Sequence, residues 1–398
     1  MGKSKSDQVS SNRLALVAPV IRGLLANPTG EQDIPYEPII LKSLTSEKAV
    51  NFAGSAENAE AQDYPAPLKK GPNSPFFLDA ADFSAEPENL RKQLNDWISD
   101  YSQQYNNKPE IICLRNLGIL YVDQKGNDSD LPLKNKVALV TGAAGAIGYG
   151  ICQGLLEAGC HLAATDLAGE KLDGLLADLR EIAEGRVIAV SLDVTDKASV
   201  TQGFEKIIQT WGGIDIAVVN AGIAMVSHLK EMDLGAFRRL EKVNVEGALL
   251  TLSELARHFI LQGTGGDIIV ISSKNVPSPG AGFGAYSATK AACHQLGRIA
   301  SIELAQYGVR VNMVAPDAVF SEGKYKSGLW DEIGPDRMRA RGLDEKGLRE
   351  YYRNRNLLKA TVTGRHVSNA VLFFATRQTP TTGATIPVDG GLPDATPR

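Results

Sequence analysis

The feature that most constrains this chain is a series of short, mostly apolar runs after Leu133, separated by helical segments. The runs are Val137–Val140, His161–Thr165, Arg186–Leu192, Ile214–Val219, Asp267–Ile271 and Val309–Val314. Each is strand-sized and lacks the in–out alternation of a half-exposed strand. A strand that is apolar on both sides has both faces covered, and crossover helices between parallel strands do that covering. The alternation therefore predicts an α/β domain over residues 131–398, built on a doubly wound parallel sheet.

The first run leads into a glycine turn, Thr141-Gly142-Ala143-Ala144-Gly145-Ala146-Ile147-Gly148, and then a helix from about Ile147. A strand, glycine turn and helix in that order make a Rossmann-type nucleotide site. The glycines let backbone N–H groups at the helix N-terminus approach a pyrophosphate. Gly142, Gly145, Ala146, Ile147 and Gly148 are the candidate contacts. Asp166 lies 18 residues after Gly148, at the end of the second run, where an acid accepts hydrogen bonds from adenosine ribose hydroxyls. Leu167-Ala168-Gly169 brings no cation to meet a 2′-phosphate, so NAD is expected over NADP.

Tyr286-Ser287-Ala288-Thr289-Lys290 is Y-x-x-x-K. Residues four apart share a helix face, so hydroxyl and ammonium can face one ligand. A free tyrosine titrates near 10, and a neighbouring ammonium together with an oxidised nicotinamide stabilises its phenolate. Tyr286 is then the candidate acid/base for an alcohol–carbonyl interconversion.

From these residues the chain resembles the short-chain dehydrogenase/reductase family. The turn nearly matches the family's T-G-x-x-x-G-x-G, with Ala146 in place of the middle glycine. Asp193-Val194 matches its adenine-contacting acid, and Asn220-Ala221-Gly222 its N-A-G element. Thr381-Thr382-Gly383-Ala384 and Val388-Asp389-Gly390-Gly391 match its C-terminal signature. The resemblance implies a tetrad of Asn244, Ser273, Tyr286 and Lys290. In it Ser273 bonds the reacting oxygen and Asn244 holds a water relay to the lysine; Ser272 is the neighbour that could be confused with Ser273. Tyr286, Lys290 and Pro316 are further implied cofactor contacts, with Pro316-Asp317 departing from the usual P-G. Homodimers or homotetramers are the family's usual assemblies.

Several runs resemble the dehydrogenase half of bifunctional rhamnulose-1-phosphate aldolase/lactaldehyde dehydrogenase proteins. They are Ser272-Ser273-Lys274-Asn275, Pro316–Phe320, Ser327–Trp330 and Arg349–Leu358. Gly71–Leu78 and Ile111–Tyr121 resemble the tail of the aldolase half. The resemblance implies a small hydroxy-aldehyde or sugar-derived substrate and a vestigial aldolase-like appendage.

The residues before 131 divide into an expected flexible tail, 1–32, and a small α/β domain, 33–130. Met1–Ser6 fits a myristoylation pattern, although so short a match arises readily by chance. Leu90, Leu94, Trp97, Ile98 and Tyr101 predict a helix across Glu88–Tyr105, and Glu110–Val122 two strands about Gly118. Gly126–Asp130 is a polar linker. The five histidines, His161, His228, His258, His294 and His366, show no metal-ligand spacing, and no metal is expected. A net charge of −4 argues against a nucleic-acid partner, and no apolar run reaches membrane length. Four scattered cysteines suit a reduced, cytoplasmic protein.

The segment Ser321–Ala360, which in the resembled family folds over the substrate, holds ten basic residues and seven acids, a net of +3. With Lys274 next to Ser273, this raises the expectation of an anionic substrate. A solvated helix face would carry the same charges. A catalytically silent cofactor-binding scaffold is the alternative to an enzyme.

Overall fold

The computed structural model describes residues 5–60, 63–71, 73–84, 86–123, 130–320, 323–325 and 327–393. Most of the myristoylation pattern and of the Gly126–Asp130 linker lies outside the described residues. The chain divides into two compact units.

The first unit comprises 1–129, 204–214 and 257–264. Helix α1 (Lys5–Leu25) opens it, followed by a two-stranded ladder, β1 (Asn27–Pro28) with β2 (Tyr36–Glu37). Then come β3 (Leu41–Leu44), short helices α2 (Glu47–Phe52) and α3 (Glu57–Glu60), β4 (Phe76–Asp79), α4 (Pro87–Tyr105), β5 (Ile111–Arg115) and β6 (Gly118–Val122). The sheet order is β3-β6-β5-β4, with β4 and β5 parallel and the other pairs antiparallel. Helix α4 lies where the periodicity predicts; it starts on a proline and ends at Asn106 in the left-handed region, φ 52°.

The expected flexible tail is instead a packed helix: α1 buries Leu14, Val17 and Ile21 against Leu90, Leu94, Ile112 and Leu120. Its apolar run is buried almost without interruption, Ala15, Ala18, Val20 and Leu25 included, so more than one face of the helix is covered. The unit also differs from the expected division at residue 131, since it takes in segments 204–214 and 257–264. Arg22, only 3% exposed, donates from Nε to the Ile39 carbonyl at 2.8 Å and from a terminal nitrogen to Gln262 at 3.2 Å.

The second unit is the predicted α/β domain, a seven-stranded, wholly parallel sheet. Its strands are β7 (Val137–Thr141), β8 (His161–Asp166), β9 (Val187–Ser191), β10 (Ile216–Val219), β11 (Gly266–Ile271), β12 (Val309–Pro316) and β13 (Thr385–Val388). The order is β13-β12-β11-β10-β7-β8-β9, so strand order reverses between β7 and β10. Such a switch point opens a crevice at the carboxyl ends of the strands, where open α/β sheets bind ligands. The helices after residue 131 are α5 (Ala146–Glu157), α6 (Glu170–Ile182), α7 (Lys197–Trp211), α8 (Leu234–Glu241), α9 (Gly247–Gln262), α10 (Gly284–Leu304), α11 (Gly328–Arg341), α12 (Glu345–Arg355) and α13 (Gly364–Ala375), of which α7 from Phe204 and α9 from Arg257 count with the first unit. A five-residue π-helix, Lys242–Glu246, joins α8 to α9.

All four cysteines are free and buried. Among the described residues no helix is long and apolar enough to cross a membrane. Nor is any group of three or more His, Cys, Asp and Glu side chains placed to hold a metal ion.

Candidate active site

One cavity of about 510 Å³ runs along the switch point. The glycine turn forms one wall. Gly142 has φ +64°, and a Cβ there would sit 2.8 Å from the Ala221 Cα, so only glycine fits. Gly148 is tighter still: its Cβ would lie 2.3 Å from the Gly142 carbonyl oxygen. Gly145, the N-cap of α5, differs. Its φ of −85° suits any residue, and the nearest atom to a Cβ would be 3.9 Å away. The protein itself does not demand glycine at 145. The space a side chain would fill is part of the cradle at the N-terminus of α5, where unpaired N–H groups and the helix dipole favour an anion. That cradle fits the pyrophosphate of a dinucleotide. Ala146, the departure from the glycine pattern, is 4% exposed, so its methyl group is almost wholly covered.

The flanking acids are held by local backbone. Asp166 accepts from Leu167 N at 2.8 Å and from Ala144 N, inside the turn, at 2.9 Å. Asp193 Oδ1 accepts from the Thr195 amide and hydroxyl at 2.9 and 2.8 Å. Asn220 acts on the protein: its Nδ2 donates to the Thr141 and Gly142 carbonyls at 2.9 Å each, fixing the turn against β10. All the sequence-predicted cofactor residues line the cavity: Gly142, Gly145, Ala146, Ile147, Gly148, Asp166, Asp193, Val194, Asn220, Ala221, Gly222, Tyr286, Lys290 and Pro316.

Helix α10 brings Tyr286 and Lys290 to the same cavity, both nearly buried at 8% and 6% exposure. The Lys290 ammonium donates to the Ile271 carbonyl at 3.0 Å, on the end of β11. One strand end separates the two serines. Ser272 Oγ lies 2.9 Å from His294 Nδ1, whereas Ser273 Oγ accepts from Asn275 N at 3.1 Å and keeps its own O–H to donate. Burial, with Arg298, holds His294 below the usual histidine range. Asn244 sits in the π-helix and does not line the cavity. Its side chain exchanges hydrogen bonds with Ile223 N and O at 2.9 Å each and donates to Thr289 Oγ1 at 3.0 Å. Thr289 donates in turn to the Tyr286 carbonyl. A π-bulge of this kind often marks a functional position.

The opposite wall comes from α11 and α12, which in the sequence show only as an excess of basic residues. Trp330, Ile333, Arg337 and Arg341 recur at spacings of three and four along α11, which puts them on one face, and α12 adds Tyr352 and Arg355. Trp330 stacks on Phe320 at 4.4 Å. Asp317, standing where the family has glycine, takes Arg355 on both oxygens at 2.6 and 2.5 Å and so ties α12 to the end of β12. Lys274 donates to the Ser278 carbonyl at 3.2 Å.

A conserved-domain description, short chain dehydrogenase, matches residues 136–331. Sorbitol dehydrogenase of Cereibacter sphaeroides is 31% identical over 65% of this chain and 98% of its own length. The uncharacterized oxidoreductase YuxG of Bacillus subtilis is 35% identical over 66% of this chain, but the match spans only 38% of YuxG. Among solved structures, sorbitol-6-phosphate 2-dehydrogenase SrlD from Erwinia amylovora superposes with a TM-score of 0.59. It is 28% identical, over 64% of this chain and 98% of that one. The chain belongs to the short-chain dehydrogenase/reductase family through its C-terminal part. It is similar to oxidoreductases of that family, whose members bind NAD(P).

Proposed function

We propose that this protein is an NAD(P)-dependent oxidoreductase that interconverts an alcohol and a carbonyl on a small sugar, polyol or hydroxy-aldehyde, with Tyr286 as acid/base. The supporting observation is that Tyr286, Lys290 and Ser273 meet in one cavity with the glycine turn. When bound, the dinucleotide supplies or takes up the hydride. The chain's residues handle position and the proton. Ser273 Oγ donates to the reacting oxygen, and Tyr286 Oη takes the hydroxyl proton in oxidation and returns it in reduction. Lys290, fixed by the Ile271 carbonyl, holds a positive charge beside the phenol. Asn244 is a positioning residue that braces Thr289 and Ile223 around the tyrosine.

NAD is the proposed cofactor in preference to NADP, because a carboxylate at the end of β8, Asp166, suits the ribose hydroxyls and would repel a 2′-phosphate. A homodimer or homotetramer, a cytoplasmic location and a vestigial aldolase-like role for residues 33–130 complete the reading. The assembly and the aldolase-like part rest on the sequence resemblance, and the location on the four scattered cysteines. The polyol relatives support the substrate class.

Tyr286→Phe tests the chemistry. Turnover across a sugar-alcohol panel is expected to fall about 10²- to 10⁴-fold while NADH binding persists. Turnover at half the wild-type rate would show that another group is the base. NADH binding with no turnover by the wild-type protein on any panel member would favour the silent scaffold. Asp166→Ala is expected to erode selectivity for NAD; unchanged selectivity would remove Asp166 from the argument.

A further inference from the structure

The segment over the cavity carries many charges, and the structure sorts them into two sets. On the outer surface they neutralise one another: Arg339 with Asp336 at 3.3 Å, Arg349 with Glu345 at 3.0 Å, Arg353 with Glu350 at 3.5 Å, Lys324 with Asp178 at 2.6 Å. Exposed pairs of this kind contribute little beyond solvation. The set lining the cavity is different. Lys274, Arg337, Arg341 and Arg355 line the cavity together with Asp317, which Arg355 already holds; the other two carboxylates that line it, Asp166 and Asp193, are the flanking acids of the dinucleotide turn and are held by local backbone. Among the described residues, Lys274 and Arg337 donate to backbone carbonyls, of Ser278 and Ala281. Arg337 lies over the Phe283 ring at 4.2 Å and Arg341 over the Tyr351 ring at 4.7 Å. Ring contacts steady a guanidinium and leave its N–H edge available to an oxyanion. Among the described residues, none of these three cations has a carboxylate partner.

Grouping cations this way in a half-buried wall is unfavourable unless something answers their charge. The cost shows at Lys274. Burial, then Arg355 and Arg337 against the opposing Asp317, holds its ammonium below the usual lysine range. Arg337 is likewise lowered by burial, with Arg341 and Arg355 contributing, so the four charges feel one another. Lys274 directly follows Ser273, which places the cluster beside the reacting oxygen's donor rather than at the dinucleotide turn.

We propose that this cluster binds a terminal anion, phosphate or carboxylate, on the substrate, so that the preferred substrates are anionic polyols or hydroxy-carbonyl compounds. The proposal rests on the oxidoreductase reading above. Arginine pairs match the oxygens of either anion bidentately, and the neutral analogue leaves the same cations unanswered.

The test compares kcat/KM for sorbitol, sorbitol 6-phosphate and gluconate in the wild-type protein, Arg341→Met and Lys274→Met, at low and high salt. Binding to the NADH complex is followed in parallel as a shift in Tm. At least one anionic compound is expected to exceed sorbitol by tenfold or more. Which of the two does so separates phosphate from carboxylate. The anion-to-neutral ratio is expected to fall about ten- to a hundredfold in each variant and to shrink with salt. Equal or better use of sorbitol, or a ratio that neither variant nor salt moves, overturns the proposal and leaves the oxidoreductase reading standing. If no compound turns over although NADH binds, the oxidoreductase reading falls. The anion site then stands only if an anion raises Tm saturably, sorbitol does not, and both variants abolish the rise; no such rise overturns it as well.

Discussion

Two glycines three residues apart, Gly145 and Gly148, should respond in opposite ways to substitution. At Gly148 an added methyl carbon meets the Gly142 carbonyl oxygen at 2.3 Å and the Ala143 Cα at 2.7 Å. Both are backbone atoms of the same tight turn and cannot rotate away. Overpacking costs about 1–3 kcal/mol where side chains can adjust, and a backbone clash belongs at the top of that range. With about 2–4 °C of Tm per kcal/mol in a domain of this size, Gly148→Ala should lower Tm by roughly 5–12 °C. Gly145 has no such neighbour, and its φ of −85° and ψ of 167° are those of an ordinary N-cap. Serine is a slightly better N-cap than glycine, by a few tenths of a kcal/mol, so Gly145→Ser should melt at or just above the wild-type temperature. Its hydroxymethyl group, however, fills the cradle, and its oxygen competes for N–H groups at the start of α5. Losing one charge-assisted contact to a phosphate is worth about 1.5–3 kcal/mol, or roughly ten- to a hundredfold in Kd for NADH. Thermal denaturation without cofactor and a fluorescence titration with NADH read the two effects separately. Wild-type NADH affinity in Gly145→Ser would refute the cradle, and a wild-type Tm in Gly148→Ala would refute the tightness of the turn.

Two further outcomes follow from buried polar groups. His294 is held below the usual histidine range by burial and Arg298, so the unfolded chain binds its proton more readily than the folded one. Its contribution is intact above roughly pH 6.5 and is lost as the pH falls below that value. His294→Gln should therefore lose less Tm between pH 7.5 and 5.5 than the wild type does, and an equal loss would remove His294 as a source of the pH dependence. Arg22→Met takes the Nε donor from the Ile39 carbonyl, at a cost of about 1–3 kcal/mol, while Gln262 Oε1 keeps Ile214 N at 3.3 Å. A Tm unchanged from wild type would return α1 to the status of a dispensable tail.

The strands of the parallel sheet were legible because they are apolar on both faces, and that pattern is local. The glycine turn and the Tyr286–Lys290 spacing were legible for the same reason: each is a geometry closed within a few residues. Strand β13 left no such mark, since its residues alternate between exposed and half-buried and it includes Pro387. It showed only through the family signature. Strands β3 and β4, four residues each, were missed because a short, half-buried run has no period to detect. Helix α1 was read as a tail because its apolar residues find their partners in α4 and β5, some seventy to a hundred residues further on. At the site, the resemblance pointed to Ser273, but what separates it from Ser272 is tertiary: Ser272 lies against His294, 22 residues further on, and Ser273 faces the cavity with its O–H free to donate. It could count the charges of the segment over the cavity but not sort them. Whether an arginine answers a surface glutamate or lines a cavity depends on how α11 and α12 pack onto the end of β12, and Asp317 with Arg355 decides that across 38 residues of chain. Local periodicity and short motifs therefore determined the sheet and the candidate acid/base. The substrate wall belongs to the tertiary structure, because charges far apart in sequence acquire their meaning only from their neighbours in space.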